Sequence, residues 1–221
     1  YSSSDAGLSA LMENFAKDHP GTYGVSMIEL DGKKRRAEYN GDKQFVTAST
    51  YKLLVAYSLL KRIDSGARSW DSDQACFNKM ISLSDNACAE SFLNAIGVST
   101  LTSEANAIGL KNSTFMKGGG PYTTANDQAL LLGMIATGQN FSSANQQRLL
   151  EAMKKNVFRK GIPAGVLGTV ADKVGFMNGL LHDSAIIYGS HGTYVLSIMT
   201  DGASWEAIAD LAKQLDALRA Q

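Results

Sequence analysis

The sequence predicts an α+β fold in which an antiparallel sheet is assembled from both ends of the chain and a helical lobe is inserted between them. Three observations carry this. Hairpin patterns occur near residues 23–39 and again at 166–199, the segment between them has helical periodicity, and a helix stands at each end of the chain. The first helix follows Ser4-Asp5, a capping pair, with Leu8, Leu11, Met12 and Phe15 on one stripe before His19-Pro20-Gly21 stops it. Tyr23, Val25, Met27, Ile28 and Leu30 read as a strand, Asp31-Gly32 as a turn, and Arg36 to Tyr39 as the returning strand. From Thr50 the apolar residues Leu53, Leu54, Tyr57, Leu60 and Ile63 recur at three and four, which predicts a helix over about 50–64 closed by Ser65-Gly66. Further helices are expected at about 72–80, 86–96, 101–108, 125–137 and 143–156. Strand patterns return at Val166–Val174, Ala185–Tyr188 and Thr193–Met199, and a final helix spans Ala203–Ala220. The expected division is one domain over 1–221, with an α/β lobe from 1–48 and 165–221 and a helical lobe over 49–164.

Composition narrows the function. With 44% hydrophobic residues in 221, the chain can bury a real core, and disorder is excluded. Lysine plus arginine and aspartate plus glutamate are both 21, and the one basic run, Lys33-Lys34-Arg35-Arg36, sits in a predicted hairpin. Nucleic acid and anionic membrane are therefore not expected partners. No apolar stretch reaches bilayer-spanning length. The start at Tyr1 and the lead Ser2-Ser3-Ser4 suit a mature or trimmed form. Cys76 and Cys88 are either two buried thiols or a disulfide stapling the loop between two helices, the latter fitting an oxidising compartment. Neither they nor His19, His182 and His191 form a metal-ligand pattern, and no metal or cofactor is expected.

Four residues then attract attention as chemistry. Ser49 and Lys52 are three apart at a predicted helix start, on one face, where a helix terminus favours developing negative charge. A serine hydroxyl becomes a useful nucleophile when a neighbour takes its proton, and a lysine can do so once burial or a nearby cation lowers its pKa. Ser58 and Lys61 repeat the spacing inside the same helix, where no terminus is available; they read as filler and surface. Ser84-Asp85-Asn86 opens a later helix, and Lys173-Val174-Gly175 ends the first late strand.

Taken in order, Ser49-Thr50-Tyr51-Lys52, Ser84-Asp85-Asn86 and Lys173-Val174-Gly175 resemble the S-x-x-K, S-D-N and K-T-G elements of the penicillin-recognising serine enzymes, the class A beta-lactamases and D,D-peptidases or penicillin-binding proteins. The likeness continues through Ile28–Asp31, Arg62–Gly66, Thr123–Asp127 and Asp183 with Ala185–Tyr188, while Gly109–Phe115 is closer to D,D-carboxypeptidases. It implies a beta-lactamase/transpeptidase-like fold with a five-stranded antiparallel sheet. It also implies an exported, periplasmic, cell-wall-associated or extracellular monomer acting on a peptidoglycan stem peptide or a beta-lactam.

Carried over by residue, Ser49 would be acylated and Lys52 would take its proton. Ser84 would relay a proton to the leaving nitrogen under the influence of Lys173, and Asn86 would bind Lys52 and the substrate amide. Val174 and Gly175 would line the substrate, and the backbone N–H groups of Ser49 and Phe176 would form the oxyanion hole. Two departures stand out. The loop Asn112–Thr124 lacks the glutamate that lets water release the acyl group in class A enzymes, and Glu90, Glu104 and Glu151 are expected in helices away from it. Valine at 174 replaces a hydroxyl, a loss on the order of 1–2 kcal/mol in carboxylate binding. After Lys173 no arginine occurs until Arg219, and His182 and His191 read as loop residues. The expected activity is a D,D-peptidase or penicillin-binding enzyme, with a beta-lactamase of atypical deacylation or a non-catalytic binding module as alternatives.

Overall fold

A computed structural model describes residues 4–221, so Tyr1, Ser2 and Ser3 of the serine-rich lead lie outside the described residues. Helix α1 (Ala6–Asp18) is followed by strands β1 (Thr22–Glu29), β2 (Arg36–Tyr39) and the short β3 (Phe45–Val46). A 3-10 turn (Ala48–Tyr51) leads into α2 (Lys52–Asp64), and α3 (Trp70–Ser82), α4 (Asn86–Ile96) and α5 (Val98–Ala107) follow. The short β4 (Tyr122–Thr123) precedes α6 (Ala125–Thr137), α7 (Ser143–Lys154) and the single turn α8 (Ile162–Gly165). Strands β5 (Thr169–Met177), β6 (Leu180–Gly189) and β7 (Gly192–Asp201) and helix α9 (Trp205–Arg219) complete the chain.

The main sheet has five strands in the order β2-β1-β7-β6-β5, all antiparallel, so the amino-terminal hairpin and the carboxy-terminal meander meet at β1 and β7. Successive residues of the late strands serve opposite faces, as the two-residue period of a strand requires. Val170, Ala185, Ile187, Tyr194 and Leu196 pack with Leu8, Met12 and Phe15 of α1 and Ile208, Leu211 and Leu215 of α9. Ala171, Ile186 and Val195 face the other way, into the core of α2 to α7. A sheet covered on both faces needs continuous apolar strands, which is why Ala185-Ile186-Ile187 shows no polar alternation.

Local signals place the helices that frame the site. Asp85 caps α4 by accepting from Cys88 N–H, and Thr124 caps α6 by accepting from Asp127 N–H. The predicted limits 86–96 and 125–137 coincide with α4 and α6. The expected helix from 50 begins instead as a 3-10 turn and becomes α-helical at Lys52. The paired two-residue strands β3 and β4 were not expected; they join the start of the site to the loop before α6. Strand β6 also begins five residues earlier than the apolar pattern from Ala185 suggests, because His182, Asp183 and Ser184 are fully buried with internal partners. His182 is therefore no loop residue. One ring nitrogen meets Val46 O at 2.8 Å and the other accepts Thr200 N–H, and burial lowers its pKa to about 4, leaving it neutral. His191 lies in the β6–β7 turn. Arg35, in the basic run, forms a two-point ion pair with Glu29, which Arg219 also engages.

Candidate active site

Three elements converge on one cleft: the 3-10 turn with the first residue of α2, the turn before α4, and the end of β5. Lys52 is fully buried, and its Nζ lies 3.1 Å from Ser49 Oγ, 3.1 Å from Ser84 Oγ, 2.7 Å from Ser84 O and 2.7 Å from Asn86 Oδ1. Ser84 adopts the left-handed backbone region, φ 57°, uncommon for a non-glycine residue. In that conformation its carbonyl and hydroxyl both meet the same amine. Lys173, also fully buried, reaches across from β5 to place Nζ 2.9 Å from Ser84 Oγ, and it donates to Val174 O at 2.8 Å. A continuous chain of short contacts thus runs Ser49, Lys52, Ser84, Lys173.

The partners of Lys52 decide what its lone pair can do. Ser84 O and the Asn86 side-chain oxygen are acceptors that cannot donate, and at 2.7 Å they take two N–H bonds. A neutral amine has only those two protons, so its lone pair is left for the hydroxyls of Ser49 and Ser84. Burial lowers the pKa of Lys52 from 10.5 to about 8, against the opposing charges of Asp85 and Glu90. Burial, then the positive charge of Lys52, lowers that of Lys173 to about 7. Two ammonium groups joined through one hydroxyl repel each other, so near neutral pH the pair readily gives up one proton.

Glycine 175 is what lets β5 come this close. A Cβ there would lie 2.9 Å from Ser49 N, 2.9 Å from Thr47 O and 3.0 Å from Thr50 N, all backbone atoms with nowhere to move. Alternation along β5 then divides the remaining predicted residues. Lys173 and Gly175 face the cleft, whereas Val174 is buried on the opposite face and lines a separate apolar pocket of about 250 Å³ with Phe158, Leu181 and Trp205. Phe176 borders both spaces and packs edge-on against Phe158 and Trp205. Arg159, at the rim of that pocket, reaches Asp172 Oδ1 at 3.2 Å. Asp172 and Asp183 lie buried behind Lys173, where desolvation first, then their mutual repulsion, raises the proton affinity of Asp183 well above that of an ordinary carboxyl.

The cleft over Ser49 has a volume of about 390 Å³ and is walled by Tyr51, Asn86, Glu90, Gly119, Gly120, Pro121, Phe176 and Met177, among others. Glu90 corrects an expectation: it sits in a helix, but that helix brings it to the same cleft as Gly119 and Gly120, not away from their loop. The missed signal was its spacing, four residues after Asn86 in α4 and so on the same face. Glu104 does lie elsewhere, paired with Arg62 and Lys61. Cys76 of α3 and Cys88 of α4 form a disulfide with Cα atoms 5.2 Å apart, closing the loop that contains Ser84.

A five-stranded antiparallel sheet with a helical layer, and a Ser-Lys-Ser-Lys cluster with both lysines buried at their junction, define the penicillin-recognising serine enzyme architecture. The chain belongs to the Beta-lactamase enzyme family, whose profile matches residues 7–75 and 72–218. No curated protein matches it in sequence. Among solved structures it is similar to PBP-A, with a TM-score of 0.89 and 21% identity over 96% of both chains. It is similar also to a beta-lactamase from Sphaerobacter thermophilus, with a TM-score of 0.85 and 20% identity over 97% of both. A third is the class A beta-lactamase of the last common ancestor of Gram-negative bacteria, with a TM-score of 0.86 and 23% identity over 96% of this chain and 99% of that one.

Proposed function

We propose that the protein is a serine acyl-transfer hydrolase of the D,D-peptidase or penicillin-binding type, in which Ser49 forms an acyl-enzyme with a D-alanyl-D-alanine-type peptide or a beta-lactam. The observation that carries this reading is the set of four contacts around Lys52 Nζ, which leaves a neutral amine able to accept a proton only from a hydroxyl. In the reaction, Ser49 Oγ attacks the substrate carbonyl as its proton passes to Lys52. The proton then moves by way of Ser84 to the departing nitrogen, and the C–N bond breaks. Lys173, hydrogen-bonded to Ser84 Oγ, supplies positive potential where that hydroxyl is transiently short of a proton. Gly175 brings the strand segment bearing the Phe176 N–H against that of Ser49, the pair suited to the developing oxyanion. A variant of PBP-A has been captured as an acyl-enzyme with penicillin G, which supports the same chemistry on this scaffold.

The disulfide supports export to an oxidising compartment, periplasmic, cell-wall-associated or extracellular, and access to a peptidoglycan stem peptide there. No helix of the described residues is long and apolar enough to cross a membrane. The reading is tested by intact-mass spectrometry after incubation with benzylpenicillin, together with release of D-alanine from a D-alanyl-D-alanine peptide. A penicilloyl adduct that maps to Ser49 and disappears in Ser49→Ala is the expected result; no adduct and no D-alanine release would refute it.

A further inference from the structure

We propose that Glu90 is the general base for the second half of the reaction, activating the water that releases the acyl group from Ser49. The inference rests on the acyl-enzyme reading above and assigns the step for which the loop Asn112–Thr124 offers no acid. Among the described residues that line the cleft over Ser49, Glu90 is the one carboxylate. It stands four residues, about 6 Å along the helix axis, beyond Asn86, whose side-chain oxygen is 2.7 Å from the amine that touches Ser49 Oγ.

The surroundings leave its carboxylate available. Glu90 is exposed to the cleft, and among the described residues it has no hydrogen-bond or ion-pair partner. Its charge nevertheless acts on both Lys52 and Tyr51, which flank the nucleophile. Opposite it, Gly119 and Gly120 contribute no side chain, so the space between Glu90 and the acyl position can hold a water molecule. A structural carboxylate on a helix surface would be expected to pair with a lysine or arginine, as Glu104 does with Arg62 and Lys61.

The step balances. A water molecule donates one proton to the Glu90 carboxylate while its oxygen bonds to the acyl carbon, giving a tetrahedral adduct. The bond between that carbon and Ser49 Oγ then breaks, and the proton taken up by Glu90 passes to Oγ, while Lys52, left neutral when its proton went to the departing nitrogen, stays neutral. The products are the free acid, the Ser49 hydroxyl, the Glu90 carboxylate and a neutral Lys52 ready for the next acylation.

The test follows the penicilloyl adduct by mass after removal of free benzylpenicillin, in the native protein and in Glu90→Gln. Glu90 is at the surface, so the substitution leaves folding intact, and the rate of adduct formation provides an internal check. Adduct formation within about threefold of native with decay slowed on the order of 100-fold or more is the predicted outcome. Glu90→Asp should restore part of the decay rate. Equal lifetimes in native and Glu90→Gln protein, short or long, would overturn the assignment while leaving the acyl-enzyme reading standing. The absence of any adduct in either protein would overturn that reading and this role together.

Discussion

Helix α2 and the turn before it contain the same pair twice, Ser49 with Lys52 and Ser58 with Lys61, and only one of them is placed to do chemistry. Ser58 is buried in the middle of the helix, and its carbonyl accepts from Arg62. Lys61 is well exposed and pairs with Glu104 at 3.3 Å. Lys52, by contrast, is fully buried and surrounded by four oxygens from three elements. The same spacing therefore gives a surface cation in one turn and an amine with a lowered pKa in another. What differs is what the rest of the fold brings to the lysine: a second hydroxyl, two permanent acceptors, and a second buried cation across the cleft.

The most severe way to break the comparison is to remove each lysine. Lys52→Ala should lower the rate of Ser49 acylation by on the order of 10²–10⁴, whereas Lys61→Ala should leave it unchanged and alter stability by less than about 0.5 kcal/mol. Stopped-flow or quenched mass measurements on both variants decide this; similar losses would show the spacing alone to be irrelevant. Next in size is Gly175→Ala. Its added carbon meets the backbone of Thr47 and Ser49 at 2.9 Å, so the nucleophile must shift, and acylation should fall by on the order of 100-fold with a destabilisation of about 1–3 kcal/mol.

The pH dependence sharpens the contrast further. Below about 7 both Lys52 and Lys173 carry protons and Lys52 has no lone pair; above about 8 both are neutral and the cation beside Ser84 is gone. Acylation should rise about tenfold per pH unit on the acid side, reach its maximum between these values, and then decline. A rate that climbs steadily to pH 10 would mean that both lysines titrate as surface groups do. The smallest effect is expected from reducing the Cys76–Cys88 disulfide, which tethers the turn carrying Ser84. Loss of a loop constraint of this length costs about 3 kcal/mol, or roughly 6–12 °C in Tm for a chain of this size, with acylation affected less than by either cleft substitution.

The same contrast explains what could be read from the amino acids alone. Apolar period and capping located α1, α4 and α9 because each buries one stripe, and α6, buried nearly all round, was located by its cap and its apolar run; all four begin at an Asp, Thr or Ser cap. The start of β6 was hidden because His182, Asp183 and Ser184 are polar yet fully buried, and only their distant partners Val46, Ile162 and Gln128 reveal why. Short β3 and β4 were hidden because two residues carry no period. In the site, Ser49, Lys52, Ser84, Asn86 and Lys173 were legible because their order and spacing are distinctive, and the structure brings all five together. Val174 was misplaced by treating the motif as a block: a strand turns consecutive residues to opposite faces, and its side chain joins the apolar pocket under Phe176 and Trp205. Glu90 escaped because its one signal, the four-residue spacing from Asn86 on α4, places it on the helix face of the site without showing that the Gly119–Gly120 loop shares that cleft.

The central claim is that burial makes Lys52 a weakly basic amine. Selective isotope labelling of lysine side chains, with Lys52→Ala, Lys61→Ala and Lys173→Ala used for assignment, allows each amine to be titrated by NMR in one sample. The expected result is that Lys52 and Lys173 lose protons together near pH 7 to 8. A Lys52 signal that stays protonated until pH 10 would contradict it.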